Sequence, residues 1–187
     1  MKEIYFITGN ELKFSIALDI LKDYGIKVIQ KNLETPEIQS FEGKEICEFS
    51  AKFAANKLNL PVIKTDVSYH IKGLNGFPGP FIKFINKWLD ANDLLIIMKD
   101  KDREVEIKEF LSFVSPGKEQ VTFDSVSRGK IAEKIINDKG TTIDKLLIRE
   151  GFDIPQNAMS KESLNEMFKK EVKIYHKLGE FLKYGKK

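Results

Sequence analysis

The sequence predicts an α/β fold in which a central mixed sheet is flanked by helices and the chain forms two lobes. Two observations carry this expectation. A strand, a helix and a second strand follow one another between Ile4 and Gln30, and a turn-linked pair of strand patterns occupies residues 104–126. The first arrangement is a βαβ unit with a parallel strand pair; the second is an antiparallel hairpin. A sheet holding both is mixed, with its mostly parallel part N-terminal.

Each element has a local reason. Residues 4–7 are a short apolar run of β-branched and aromatic side chains, the pattern of a buried strand. Thr8-Gly9-Asn10 breaks it, and Asn10 is placed to cap a helix reaching Tyr24, with Phe14, Ala17, Leu21 and Tyr24 on one face and Gly25 as the stop. Residues 26–30 form the next strand and 33–43 a loop carrying Pro36 and Gly43. A helix over 44–58 has Phe49, Phe53 and Ala54 among its apolar positions; Asn59-Leu60-Pro61 ends it, and 62–66 return to strand. A Gly/Pro loop then leads to helical patterns at 81–89 and 92–99. The strands 104–114 and 120–126 are joined by Ser115-Pro116-Gly117-Lys118, where Pro fixes φ and Gly supplies a positive φ. Short helices are expected near 143–150 and 160–169, the second with Ser160 as a fair cap, and a final helix runs through Phe181.

A chain of 187 residues is long enough for one sizeable core, and without repeats or linkers it reads as a single domain over 1–187. The 31 basic and 28 acidic residues nearly cancel, and the lysines are spread rather than clustered, so nucleic acid is not an expected partner. The basic end KYGKK reads as a solubilising terminus. No apolar run reaches the ~18–20 residues of a membrane span, and the N-terminus does not match a signal peptide. The one cysteine, Cys47, excludes an intrachain disulfide and fits a reducing, cytoplasmic setting; it reads as a small core residue.

Three short stretches could carry chemistry. Thr8-Gly9-Asn10 lies where the first strand feeds the first helix, the position at which open α/β sheets bind ligands. Free N–H groups and the positive end of the helix dipole favour phosphate there, and Lys13 adds a full charge one turn in. Thr35-Pro36-Glu37-Ile38-Gln39 places an acid in a constrained loop, and Asp66 closes the third strand pattern. Taken singly, each also reads as ordinary structure: a capped turn, an exposed loop, a strand-end acid. Two carboxylates beside a phosphate-binding turn would suit Mg²⁺, typically held by one or two carboxylates plus substrate phosphates and waters.

The order of these pieces is informative. TGN-x-x-K, PEIQ, a strand-borne Asp, and GLNGFPGPFIK from Gly73 to Lys83 together resemble the inosine triphosphate pyrophosphatase family, which hydrolyses non-standard purine nucleoside triphosphates. The likeness runs from Ile4 to about Ile131, including Ser127-Arg128-Gly129-Lys130-Ile131. It implies a two-lobed fold with the active-site cleft between the lobes, and a homodimer. It further implies that Thr8, Gly9, Asn10 and Lys13 bind the triphosphate, and that Glu37 and Asp66 hold Mg²⁺. The implied reaction is attack of a metal-activated water between the α and β phosphorus atoms, with Asp66 and Lys13 as the catalytic pair and Lys13 stabilising the leaving pyrophosphate.

Departures from the family pattern are visible. A second acid usually precedes the strand-borne Asp and a hydroxyl residue follows it; here they are Thr65 and Val67. Of the family's base-reading Phe-Gly-aromatic-Asp-Pro segment only Asp144 remains. Of its closing Ser-His-Arg stretch, His176 matches, Lys177 stands for Arg and Tyr175 for the small hydroxyl residue. The resemblance carries Asp144, His176 and Lys177 over as substrate-binding residues, while His176 on its own also reads as a half-buried helix residue. His70 reads as a strand residue rather than a ligand, and Phe81, Phe84 and Trp88 as core or dimer surface. Two functions follow: a Mg²⁺-dependent nucleoside triphosphate pyrophosphatase with altered base preference, or a catalytically impaired nucleotide-binding protein on the same fold.

Overall fold

In the computed structural model, which describes residues 2–185, the expected βαβ unit is present. β1 (Lys2–Ile7), α1 (Glu11–Lys22) and β2 (Ile26–Lys31) follow in order, and β1 pairs β2 in parallel from Lys2↔Ile26 to Ile7↔Lys31. Asn10 caps α1, its side chain accepting from the Lys13 amide, and Gly25 sits at φ +71°. The buried face of α1 is Ile16, Ala17, Ile20 and Leu21. It is rotated from the expected one, because Phe14 only flanks the core.

α2 (Gly43–Leu58) ends at Asn59 in the left-handed region, as its sequence indicated. Its packing face differs from the expected Phe positions: Cys47, Ser50, Ala51, Ala54 and Ala55 are buried, while Phe49 is 43% exposed. Small side chains let the helix approach Ile7, Val62 and Val114 closely, and the bulky Phe is left on the outer face.

β3 (Val62–Ile71) does not stop at Asp66 but continues for five more residues. β4 (Pro78–Gly79) pairs antiparallel with that extension, Tyr69 opposite Gly79 and His70 opposite Pro78. Then come α3 (Ile82–Trp88), α4 (Ala91–Ile97), β5 (Glu104–Val114) and β6 (Val121–Ile131). Side-chain pairs Ser112–Thr122 and Glu109–Ser125 fix an antiparallel register for β5 and β6, and the turn closes through the Lys118 amide on the Ser115 carbonyl.

Residues 143–150, expected to be helical, instead make a turn followed by β7 (Leu147–Arg149), antiparallel to β6. Leu147, Ile148 and Arg149 are all buried; β6 pairs them on one side, and the Leu147 amide donates to the Ile143 carbonyl of the turn at 2.8 Å. Gly129 permits the pairing, since a Cβ there would lie 2.5 Å from the Ile148 carbonyl oxygen. α5 (Lys161–Glu171), capped by Ser160, and α6 (Lys173–Tyr184) complete the described chain; the last two lysines of the basic terminus lie outside it.

Among the described residues the strands form one mixed sheet in the order β2-β1-β3-β5-β6-β7, with β4 on β3. The chain divides into two compact units. The first comprises residues 1–66, 109–125 and 168–187; the second comprises 67–108 and 126–167. The first unit buries Ile4, Phe6 and Ile63 against Ile16, Ile20 and Leu21 of α1, with Ile174, Tyr175 and Leu178 of α6 in the same cluster. The second has its own core around Tyr69, Ile71, Leu94, Met98, Ile107, Ile131 and Leu146.

Candidate active site

The site is built in the first unit from three chain segments that the sheet order brings together. Leaving β1, the loop Thr8-Gly9-Asn10 folds on itself: the Asn10 amide donates to Thr8 Oγ1 and the Lys13 amide to Asn10 Oδ1, each at 3.0 Å. A Cβ on Gly9 would meet no heavy atom within 4 Å, so no protein group requires glycine there and the space beside it is open. Beneath the first turn of α1, the buried Tyr175 hydroxyl reaches the Lys13 carbonyl at 3.5 Å, and its ring meets Phe6 edge-on.

The loop bearing Glu37 is held from both sides. Ser50 on α2 donates to the Pro36 carbonyl at 3.1 Å, and Lys64 Nζ on β3 donates to Thr35 Oγ1 at 2.9 Å. Asp66 Oδ2 lies 3.5 Å from where a Gly43 Cβ would stand, beside the first residue of α2, whose dipole favours an anion. A side chain at Gly43 would also press on the Phe110 ring at 3.0–3.2 Å, so the glycine keeps room for both groups.

These segments line one cavity of 230 Å³, with Thr8, Gly9, Asn10, Lys13, Glu37 and Asp66 all in its wall. Sequence reasoning passed over Lys64 and Ser50, which line it too. The signal for Lys64 was available: a lysine breaking the apolar run Val62-Ile63, two residues before Asp66 and so on the same strand face. Burial holds its ammonium below the ordinary lysine value; Glu37 opposes that shift and Lys13 adds to it. Cys47 is also in the wall, but burial and then the Asp66 charge push its thiol up to about 12, which keeps it protonated.

Three residues carried over by resemblance are placed elsewhere. On α6, His176 Nε2 donates to the Lys169 carbonyl at 3.4 Å and Nδ1 lies 3.1 Å from the Tyr24 hydroxyl. Lys177 donates to the Asp124 carbonyl. Asp144, in the second unit, organises a turn, accepting from the Thr141 amide and hydroxyl and from Gln156 Nε2. None of the three is in the cavity wall. The second unit has a larger cavity of 710 Å³ lined by His70, Arg128, Lys130, Glu106 and others, but it holds none of the expected site residues. The smaller cavity is the better candidate, because its polar groups converge.

Among the described residues no cluster of three or more His, Cys, Asp or Glu side chains forms an all-protein cage. Two carboxylates beside a phosphate-favouring loop fit a hard divalent cation that keeps waters and completes its shell with substrate oxygens.

The chain is 39% identical over 152 residues to a dITP/XTP pyrophosphatase of Methanosarcina acetivorans, covering 81% of this chain and 83% of that protein. It is 41% identical over 133 residues to the Methanosarcina mazei protein of the same name, covering 71% and 72%. The Staphylococcus aureus Ham1 protein shares the fold at a TM-score of 0.79 and 23% identity, covering 99% of this chain and 100% of that one. A HAM1 protein from Coxiella burnetii does so at 0.74 and 20%, covering 97% and 98%. The sequence model of the Ham1 family matches residues 4–172, and the chain therefore belongs to the Ham1 family.

Proposed function

We propose that this protein is a nucleoside triphosphate pyrophosphatase acting on non-standard purine nucleotides of the dITP/XTP type. The observation that carries the reading is the convergence of Thr8, Gly9, Asn10, Lys13, Glu37 and Asp66 on one cavity, in a chain similar to relatives named for that activity. The polyphosphate lies along Thr8-Gly9-Asn10, where open space at Gly9 admits it and the first turn of α1 offers amide donors. Glu37 and Asp66 would hold Mg²⁺, which would neutralise charge and lower the pKa of a coordinated water. Water adds to the α phosphorus, the α–β P–O bond breaks, and a monophosphate and pyrophosphate leave. Lys13 stabilises the negative charge on the departing pyrophosphate.

Thr65 in the cavity wall, where the family usually has its second acid, favours the alternative of a catalytically impaired nucleotide binder. One assay separates the two: pyrophosphate release from ITP, XTP, dITP and the standard triphosphates with Mg²⁺. Release from a non-standard triphosphate supports the enzyme; binding without release from any of them establishes the second reading. The protein works in the cytoplasm as a homodimer. The stacked, exposed Phe84 and Trp88 on α3 support self-association, and no described helix is long and apolar enough to cross a membrane.

A further inference from the structure

The cavity contains a second cation for which the pyrophosphatase reading has no role. Lys64 lies on the same face of β3 as Asp66, and both line the cavity with Lys13. An ammonium carries three donors, and one of them is used on a neutral hydroxyl, Thr35 Oγ1, at 2.9 Å. Lys13 and Lys64 are close enough to feel each other's charge, so two cations converge on a space of 230 Å³. Glu37 and Asp66 offset them, but once those carboxylates hold a divalent cation, the two ammonium groups are left to meet an anion. Thr65 sharpens this imbalance by putting a neutral side chain, rather than an acid, beside Lys64. A polyphosphate is the chemistry that such an excess of positive charge recognises.

We propose that Lys64 is a second phosphate-binding residue of the site, contacting with Lys13 the anionic end of the triphosphate through the donors that Thr35 does not use. This rests on the pyrophosphatase reading. The competing explanation is purely structural: Lys64 would only staple the Glu37 loop to β3 through Thr35.

The test uses the whole protein and calorimetric titration with inorganic tripolyphosphate in the presence of Mg²⁺, alongside steady-state hydrolysis of dITP with Mg²⁺. Lys64→Met is expected to weaken tripolyphosphate binding about ten- to a hundredfold, the loss of one hydrogen-bonded charge contact, and to raise KM more than it lowers kcat. Lys64→Arg is expected to recover most of the affinity. Thr35→Val is expected to bind within about threefold of wild type, the range of a peripheral substitution. Lys64→Gln replaces the Met variant if that one does not fold. Unchanged tripolyphosphate affinity in the Met or Gln variant overturns the proposal. So does a Thr35→Val variant that loses as much affinity as Lys64→Met, since that is the staple's signature. Wild type that neither binds tripolyphosphate nor hydrolyses any triphosphate overturns the pyrophosphatase reading and this inference together. An active wild type with an indifferent Lys64 overturns this inference alone.

Discussion

Asp66 occupies the fifth position of the ten-residue β3, and its place there explains what one carboxylate can do. A residue in mid-strand has its backbone fixed by ladder hydrogen bonds on either side, so its side chain is aimed more firmly than it would be from a frayed strand end. The amino end of α2 lies against the same carboxylate, where the helix dipole attracts negative charge. Asp66→Asn keeps the shape and removes the charge. Hydrolysis is expected to fall by about 10²-fold or more, with the thermal unfolding midpoint nearly unchanged. A fully active Asp66→Asn enzyme would show that the metal is held elsewhere. Glu37→Gln, on an exposed loop anchored at Pro36 and Thr35, is expected to raise the half-saturating Mg²⁺ concentration about tenfold and to restore rate at high Mg²⁺.

At the scale of elements, the packing of α6 under the site has consequences that residue lists do not show. Thr65 on β3 lies close enough to the Tyr175 hydroxyl on α6 to act on its proton, so two departures from the family pattern adjoin each other. A glutamate at Thr65 would bring a carboxylate against a fully buried phenol, whose proton is already held tightly by burial and by the charge of Glu109. Thr65→Glu alone is expected to cost about 1–3 kcal/mol of stability. In Thr65→Glu/Tyr175→Ser the space and water left by the ring accommodate the acid. Urea unfolding of the four proteins is expected to give a favourable coupling of about 1 kcal/mol or more; strict additivity would separate the two positions. Gly179 on the same helix is a second case. A Cβ there would fall 2.4–2.7 Å from the Tyr24 ring, which is pinned through its hydroxyl to His176. Overpacking of about 1–3 kcal/mol exceeds the ~1 kcal/mol that alanine gains in helix propensity, so Gly179→Ala is expected to lower the urea midpoint. These elements also show what the sequence could reveal. β1, α1, α2 and the β5–β6 hairpin were legible because period, caps and turn residues agreed locally. The continuation of β3 and the strand β7 were not, because both depend on partners: β4 for one, Gly129 of β6 for the other. Thr8-Gly9-Asn10, Glu37 and Asp66 stood out as an ordered set of motifs, and they line one cavity. Lys64 did not, since its meaning comes from a loop 29 residues earlier.

For the whole molecule, assembly is the property that the exposed surface of the second unit bears on. Phe84 and Trp88, one helical turn apart on α3, stack with ring centroids 5.1 Å apart yet remain 40% and 68% exposed. An exposed tryptophan packed on a phenylalanine is the kind of anchor that dominates binding energy when a second surface covers it. Stable association needs roughly 1,200–2,000 Å² of total buried surface, so this pair would be the centre of a larger contact rather than all of it. If it is that centre, Trp88→Lys places an ammonium in the middle of the contact and removes its largest apolar group. Sedimentation velocity of the wild type is then expected to give a dimer, and of Trp88→Lys a monomer, with unchanged far-ultraviolet circular dichroism. Because the catalytic groups proposed above all lie in the first unit, the monomeric variant is expected to keep tripolyphosphate affinity. A wild type that sediments as a monomer removes the homodimer from the account and leaves the site intact. A Trp88→Lys variant that stays dimeric moves the interface to another face.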